Sequence, residues 1–347
     1  MFRPNFNYTD KLVASLIKLE GVKTYLSNLD FSYPVRHKLN MNAKTQDIFH
    51  LGHILGLDMT LKDAEKIAGG LRLEGFKDQN AYILSNFRNS LEFNRSNIAD
   101  TYSELDFTVL LHVNKLITSS WRESWDSRLR NENDEFIDKD EWVSLRDFSV
   151  TGDQVQNQMI ELVEWYKSAA PTIAPVVRIG IALFRVAEVA PYYAANTLSF
   201  IGLADYLFVK NGFAGKIYSS FVRNFDLNKA AYKEVFEVSK KANDVTYWLE
   251  TLTENLIKEL TEAKEELGKL TEDEEKSKNQ PFLDLNKRQL KVLRYLQTVP
   301  MIKREDYCHM MEVSTMTAFR DLNDLVRKKL IKVEGKGRGT KYRLSSM

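Results

Sequence analysis

Apolar residues recur at i, i+3, i+4 and i+7 along most of the chain, the spacing that lines one face of an α-helix. The pattern predicts helices over residues 8–27, 45–56, 60–72, 76–95, 103–122, 153–169, 174–188, 195–211, 214–222 and 228–239. Helix starts are marked by a hydroxyl three residues before an acid or amide, at Thr60 with Asp63 and at Thr151 with Gln154. Gly69, Gly70 and Gly212 stand where helices should stop. One short run, Trp142 to Val150, is rich in aromatic and β-branched residues and predicts a small hairpin. From Val245 to about Lys278 a single long charged helix is expected, with an apolar stripe from Trp248 to Leu270. That stripe fades into TEDEEKSKNQP, whose charge run and Pro281 mark a domain boundary.

Past the boundary the rhythm changes. The sequence predicts a helix from Asn286 to Gln297, a break at Pro300, a helix from Arg304 to Met311, a turn at Val313 and Ser314, and a helix from Thr315 to Lys329. LIKVEGKGRGTKYRL then alternates as a strand, turns through its glycines and returns as a second strand. Three helices and a hairpin in that order resemble a winged helix-turn-helix. The spacing of Leu322, Val326 and Leu330 turns the third helix onto the first two and leaves Ser314, Thr315, Met316, Thr317 and Arg320 outward. In such modules those positions reach base edges in the major groove, and Arg320 is the first choice for a base contact. Lys336 and Arg338 at the hairpin tip, with Lys341 and Arg343 on the return strand, are expected to meet phosphates or the minor groove.

Charge sharpens this division. The 347 residues carry a net charge of only +1, but residues 285–347 hold 15 Lys and Arg against 6 Asp and Glu, a balance of +9. The rest holds 34 against 42, or −8. A basic module on an acidic body is what phosphate neutralisation requires, so duplex DNA is the expected partner. A docking or dimerisation role for the module is the alternative. The single cysteine, Cys308, excludes an intrachain disulfide and suggests a reducing compartment, so a cytoplasmic location is expected. The most apolar stretch, Ile173 to Val209, is interrupted by Arg178, Arg185, Glu188 and Asp205, and neither a signal peptide nor a membrane span is expected.

From about Tyr8 to Asn255 the body carries, in order, NYTDKLVASLIKLEGVKTYL, AKTQDIFHLGHILGLDMTLKDAEKIAGGL, NAYILSNFRNSLEF, LLHVNKLI, WVSLRDFSV and IGIALFRVAEVAPYYAANTLSFIGLADYLF. On these stretches it resembles the Fic family. A C-terminal winged helix is a frequent companion in that family. The resemblance implies an all-α body with a small β-hairpin flap. Active members carry HPFx(D/E)GNGRxxR, in which a histidine acts as base, an acid holds a metal ion, glycines admit phosphates and arginines neutralise them. The matching residues here include Ala190, Pro191, Tyr192, Ala194, Ala195, Asn196, Thr197, Leu198 and Ile201. Only Pro191 and Asn196 survive, with Tyr192 as an aromatic replacement. Losing the base alone typically costs roughly 10²–10⁴-fold, and the metal acid and arginines are gone as well, so adenylyl transfer is not expected. The family's inhibitory motif, (S/T)xxxE(G/N), matches Thr45 to His50, with Phe49 in place of the glutamate.

Other chemistry is thin. His50 and His53 lie three apart near Asp47, but the remaining histidines, His37, His112 and His309, are scattered and no cysteine cluster completes a shell, so no metal is expected. The acidic run from Asn131 to Glu141 lacks the glycine and spacing of a calcium loop, and no phosphate loop, dinucleotide fingerprint or nucleophile elbow is present. The expectation is therefore an N-terminal helical region over 1–110, a Fic-like core over 111–240, a long charged helix and linker over 241–280, and a winged helix-turn-helix over 281–347. Its expected function is DNA binding in transcription regulation, without a cofactor, as a homodimer or with a protein partner or nucleotide at the body. The competing readings are a divergent Fic enzyme, holding a nucleotide through Pro191, Tyr192, Asn196 and Arg185 or Arg146, and a protein-docking scaffold.

Overall fold

The computed structural model describes residues 2–31, 33–71, 78–96, 102–119, 128–131, 150–213, 221–278, 285–296, 299–335 and 340–345. Two compact units emerge, one of Met1–Phe31 and Leu39–Glu266, the other of Ser32–Lys38 and Leu267–Met347. The helices are α1 (Asp10–Ser27), α2 (Tyr33–Ile54), α3 (Leu61–Ala68), α4 (Asp78–Asn94), α5 (Phe107–Thr118), α6 (Gly152–Ser168), α7 (Pro175–Val189), α8 (Asn196–Lys210), α9 (Phe221–Ala242) and α10 (Thr246–Lys278). No described helix is long and apolar enough to cross a membrane.

The first unit is built around α7 and α8, the segments whose sequence is apolar on nearly every side. Nearly all residues of both helices are buried, as expected of helices enclosed by others. α8 packs against α4, α5, α7 and α9. Two glycines set the closeness of this packing. A Cβ at Gly202 would meet Ile117 Cδ1 at 3.0 Å and Val113 Cγ1 at 3.1 Å, and one at Gly180 would meet Leu249 Cδ2 at 2.6 Å. Trp248, fully buried, donates its indole N–H to the Gly180 carbonyl at 2.8 Å. Charges admitted to this interior are paired, as burial demands. Arg95 reaches Asp205 at 3.1 Å and Asp47 at 3.7 Å, and Arg178 reaches Glu104, which also accepts from the Tyr166 hydroxyl at 2.8 Å.

Several boundaries differ from the sequence reading. α2 begins twelve residues before the expected start at residue 45, because Tyr33 to Lys44 lacks an apolar period although Pro34 suits a first helical turn. α9 begins at Phe221 rather than at residue 228. At Thr60 the hydroxyl accepts from the Asp63 N–H at 3.2 Å, as expected. Thr151 makes no such cap; its hydroxyl instead donates to the Asp153 carboxylate. The hairpin expected at Trp142 to Val150 falls, up to residue 149, outside the described residues, as does most of the helix expected over 214–222.

The second unit contains α11 (Lys287–Tyr295), β1 (Ile302–Lys303), α12 (Arg304–Met311), α13 (Thr315–Arg327), β2 (Ile331–Glu334) and β3 (Lys341–Leu344). Two strands were expected; the sheet has three, in the order β1-β3-β2, all antiparallel. β1 is only two residues long, too short to show alternation in sequence, and Ile302 pairs with Tyr342. The core joins Val292, Leu293, Leu296, Tyr307, Ala318, Leu322, Leu325 and Ile331. At its edge Asp321, nearly buried, accepts from Asn286 (2.8 Å), Arg288 (2.8 Å) and the Tyr307 hydroxyl (2.9 Å). Burial alone would raise its pKa, but these donors outweigh burial and hold it below the usual carboxylate range.

Candidate functional site

The α7–α8 connection begins where Ala190 ends α7 in the left-handed region, at φ 44° and ψ 69°. Ala195 precedes α8 in the same region, at φ 60° and ψ 39°. Two such alanines bracketing four residues make a tight, strained loop, and its neighbours hold it in place. Asn196 closes it: its Oδ1 accepts from the Tyr192 N–H at 2.9 Å and its Nδ2 donates to the Tyr192 carbonyl at 2.7 Å. Asn114, from α5, donates to the Ala194 carbonyl at 2.9 Å and to Ser199 Oγ at 2.8 Å. The Arg130 guanidinium donates to the carbonyls of Ala190 (3.0 Å), Val189 (3.0 Å) and Val150 (2.9 Å). Arg130 also gives its backbone N–H to Pro191, the Tyr193 N–H goes to the Arg128 carbonyl, and Leu129 bridges Tyr192.

The loop and the first turns of α8 hold the residues that the sequence aligns with a nucleotide-transfer motif, and the aligned positions other than Tyr193 are buried. Ala190 is 2% exposed, Tyr192, Ala194 and Ile201 are fully buried, and Leu198 is 7% exposed; Pro191 and Asn196 are buried too. Tyr192 brings a phenol into this loop. Burial pushes its phenol up, and its hydroxyl donates to the Leu110 carbonyl at 2.9 Å. A group so placed does not exchange protons near neutrality. Arg185, a candidate phosphate partner, pairs with Glu188 and lies over the Phe2 ring. Arg146, the other, is outside the described residues.

Thr45, Phe49 and His50 lie on α2. The Phe49 ring packs 4.3 Å from the His53 ring, so an aromatic contact occupies the position aligned with a restraining glutamate. Asp47 faces Arg95 instead of the two histidines. Their carboxylate partner is Asp226, on α9.

In the second unit α13 exposes one face. Ser314 is its N-cap, with Oγ accepting from the Thr317 N–H at 3.2 Å and lying 3.0 Å from the Thr317 hydroxyl. Thr315, Met316 and Arg320 are exposed, Met316 at 62%. Phe319 is exposed beside them, with the Arg304 guanidinium 5.1 Å from its ring. On the sheet Lys332 and Lys341 are exposed and Arg343 pairs with Glu334. Lys336 and Arg338 lie outside the described residues.

No curated protein matches the chain. Solved structures that resemble it include a Fic family protein from Desulfovibrio desulfuricans G20, at 14% identity and TM-score 0.60 over 100% of this chain and 99% of that one. Fic-1 from C. elegans resembles it at 15% identity and TM-score 0.58, over 72% of this chain and 70% of that one. A Fic domain containing signaling protein from Bacteroides thetaiotaomicron VPI-5482 does so at 14% identity and TM-score 0.55, over 73% and 96%. At such identities the likeness establishes the fold, and the helical body has the Fic fold. The sequence model of the CTF13 C-terminal domain matches residues 136–335, more than half of the chain. On that match the chain belongs to the CTF13 C-terminal domain family.

Proposed function

We propose that this protein is a DNA-binding transcription regulator whose Fic-like body has lost adenylyl transfer. The observation that carries the reading is the exposed face of α13, with Thr315, Met316 and Arg320 in a segment of balance +9. The order α11-β1-α12-α13-β2-β3 with sheet order β1-β3-β2 supports a winged helix-turn-helix, in which α13 is the recognition helix. Lys332 and Lys341 then lie on the wing, where cations neutralise phosphates.

The α7–α8 loop supports the loss of catalysis. Ala190, Ala194, Leu198 and Ile201 stand where the aligned motif has its base, metal acid and arginines, and all four are buried apolar side chains. Hydrogen bonds from Asn114 and Arg130 occupy carbonyls of the same loop. A homodimer formed through the body would bring two recognition helices to two half-sites, raising affinity through effective concentration. Selection of bound duplexes from a randomised library tests the reading. The wild-type chain enriches one motif, and Arg320→Ala relaxes the choice at one base pair of it, at a cost of about 1–3 kcal/mol. No enrichment by the wild type would defeat it.

Exposed Met316, Phe319 and Val333 support a second reading, in which the unit docks a protein partner. Duplex binding that ignores both sequence and Arg320 would favour it.

A further inference from the structure

His50 and His53 share one face of α2, and Asp226 comes to them from α9. Asp226 Oδ2 lies 2.6 Å from His50 Nδ1 and 3.3 Å from His53 Nδ1. The three ligating atoms all lie within 4.8 Å of one another. The His50 side chain is 9% exposed, that of Asp226 15% and that of His53 45%, so the cluster has a closed floor and a mouth open to water. Phe49 forms an apolar wall against both imidazoles.

The surrounding charge is negative. Buried Glu259, on α10, is coupled electrostatically to His50. Arg223 pairs with Glu259 at 2.9 Å and with Glu262 at 3.1 Å. Asp226, Glu259 and Glu262 thus set three carboxylates against the Arg223 guanidinium. Such a balance is relieved by a divalent cation.

We propose that His50, His53 and Asp226 bind one divalent transition-metal ion of the zinc class, tying α2 to α9. Two imidazoles and one carboxylate are a donor set for such ions, with a fourth position left to water on the His53 side. Ligand atoms about 2.0–2.2 Å from a tetrahedral ion stand roughly 3.3 Å apart. His53 and Asp226 already have that spacing, the His50–Asp226 contact must open by roughly 0.7 Å, and the two imidazole nitrogens, no more than 4.8 Å apart, must adjust to it as well. The shorter separation is a hydrogen-bond contact, which a metal ion would replace at the same two atoms.

Zinc chloride added to the full, untagged chain tests this by equilibrium dialysis, with cobalt(II) as a spectroscopic probe. One zinc per chain is expected, with a visible cobalt spectrum that zinc abolishes. His53→Ala, at the exposed ligand, is expected to weaken zinc at least tenfold with an unchanged circular dichroism spectrum, and Asp226→Asn to do the same. His309→Ala, far from the cluster in sequence, should change nothing. Absence of saturable binding by the wild type, or binding by His53→Ala and Asp226→Asn equal to the wild type, would overturn the proposal. So would loss of binding on changing His309 alone.

Discussion

Asn196 holds the α7–α8 loop through both ends of its amide, and its replacement gives a quantitative test of that loop as a structural joint. Asn196→Ala removes an acceptor 2.9 Å from the Tyr192 N–H and a donor 2.7 Å from the Tyr192 carbonyl, at a site only 6% exposed. Leaving one buried N–H unsatisfied costs about 1–3 kcal/mol, and the weakened carbonyl adds to it. Alanine's better helix propensity returns at most about 0.7 kcal/mol, so a net loss of about 1–3 kcal/mol is expected. Asn196→Asp keeps the acceptor but turns an anion toward the Tyr192 carbonyl, so at pH 7 it should be no more stable than the alanine variant. Burial beside a carbonyl raises the folded pKa of the new carboxyl above its unfolded value. The penalty is then full above the folded pKa and shrinks as pH falls through it. From pH 7 to 5 the aspartate variant should therefore gain on the alanine variant. Urea unfolding followed by tryptophan fluorescence measures both, because Trp165 and Trp248 lie in the first unit and the segment beyond residue 266 has no tryptophan. An Asn196→Ala variant within about 0.5 kcal/mol of wild type, the range of an ordinary surface change, would refute the reasoning.

Three further outcomes follow from the geometry. Gly180→Ala places a methyl 2.6 Å from Leu249 Cδ2 and 3.0 Å from Leu252 Cδ2, and should cost about 1–3 kcal/mol in the same urea assay. Asp321→Ala strands the buried Tyr307 hydroxyl and should speed hydrogen exchange in peptides from residues 285–345 while leaving the first unit unchanged. Because Asp321 is held below the usual carboxylate range, its contribution is present above about pH 4 and lost as pH falls below it. Protection of the second unit in wild type should therefore drop below that pH, and less so in Asp321→Asn.

Much of this architecture is written in local pattern. The period of apolar residues located α1, α3, α6, α7 and α8 to within a few residues, and α12 begins at Arg304 and ends at Met311 as expected. What escaped was set by distant partners. The polar start of α2 gave no stripe to follow, and β1 exists because Ile302 and Lys303 pair with β3 about forty residues later. The histidine pair on α2 was visible, but Asp226 is some 175 residues away and no spacing rule connects them. The loss of motif side chains at Ala190 to Ile201 could be read directly, whereas the donors that hold the loop, Asn114 and Arg130, reach it from other segments.

A salt titration of full-length protein on random-sequence duplex DNA, followed by fluorescence anisotropy, tests the central claim most directly. A basic reading module predicts a linear fall of log K with log salt, with a slope of about −0.9 for each neutralised phosphate. Replacing both Lys332 and Lys341 by alanine should make that slope shallower by about 2 while the fold is kept. Binding that is absent at low salt, or a slope that ignores both lysines, would contradict the account and turn attention to protein partners for the exposed face of α13.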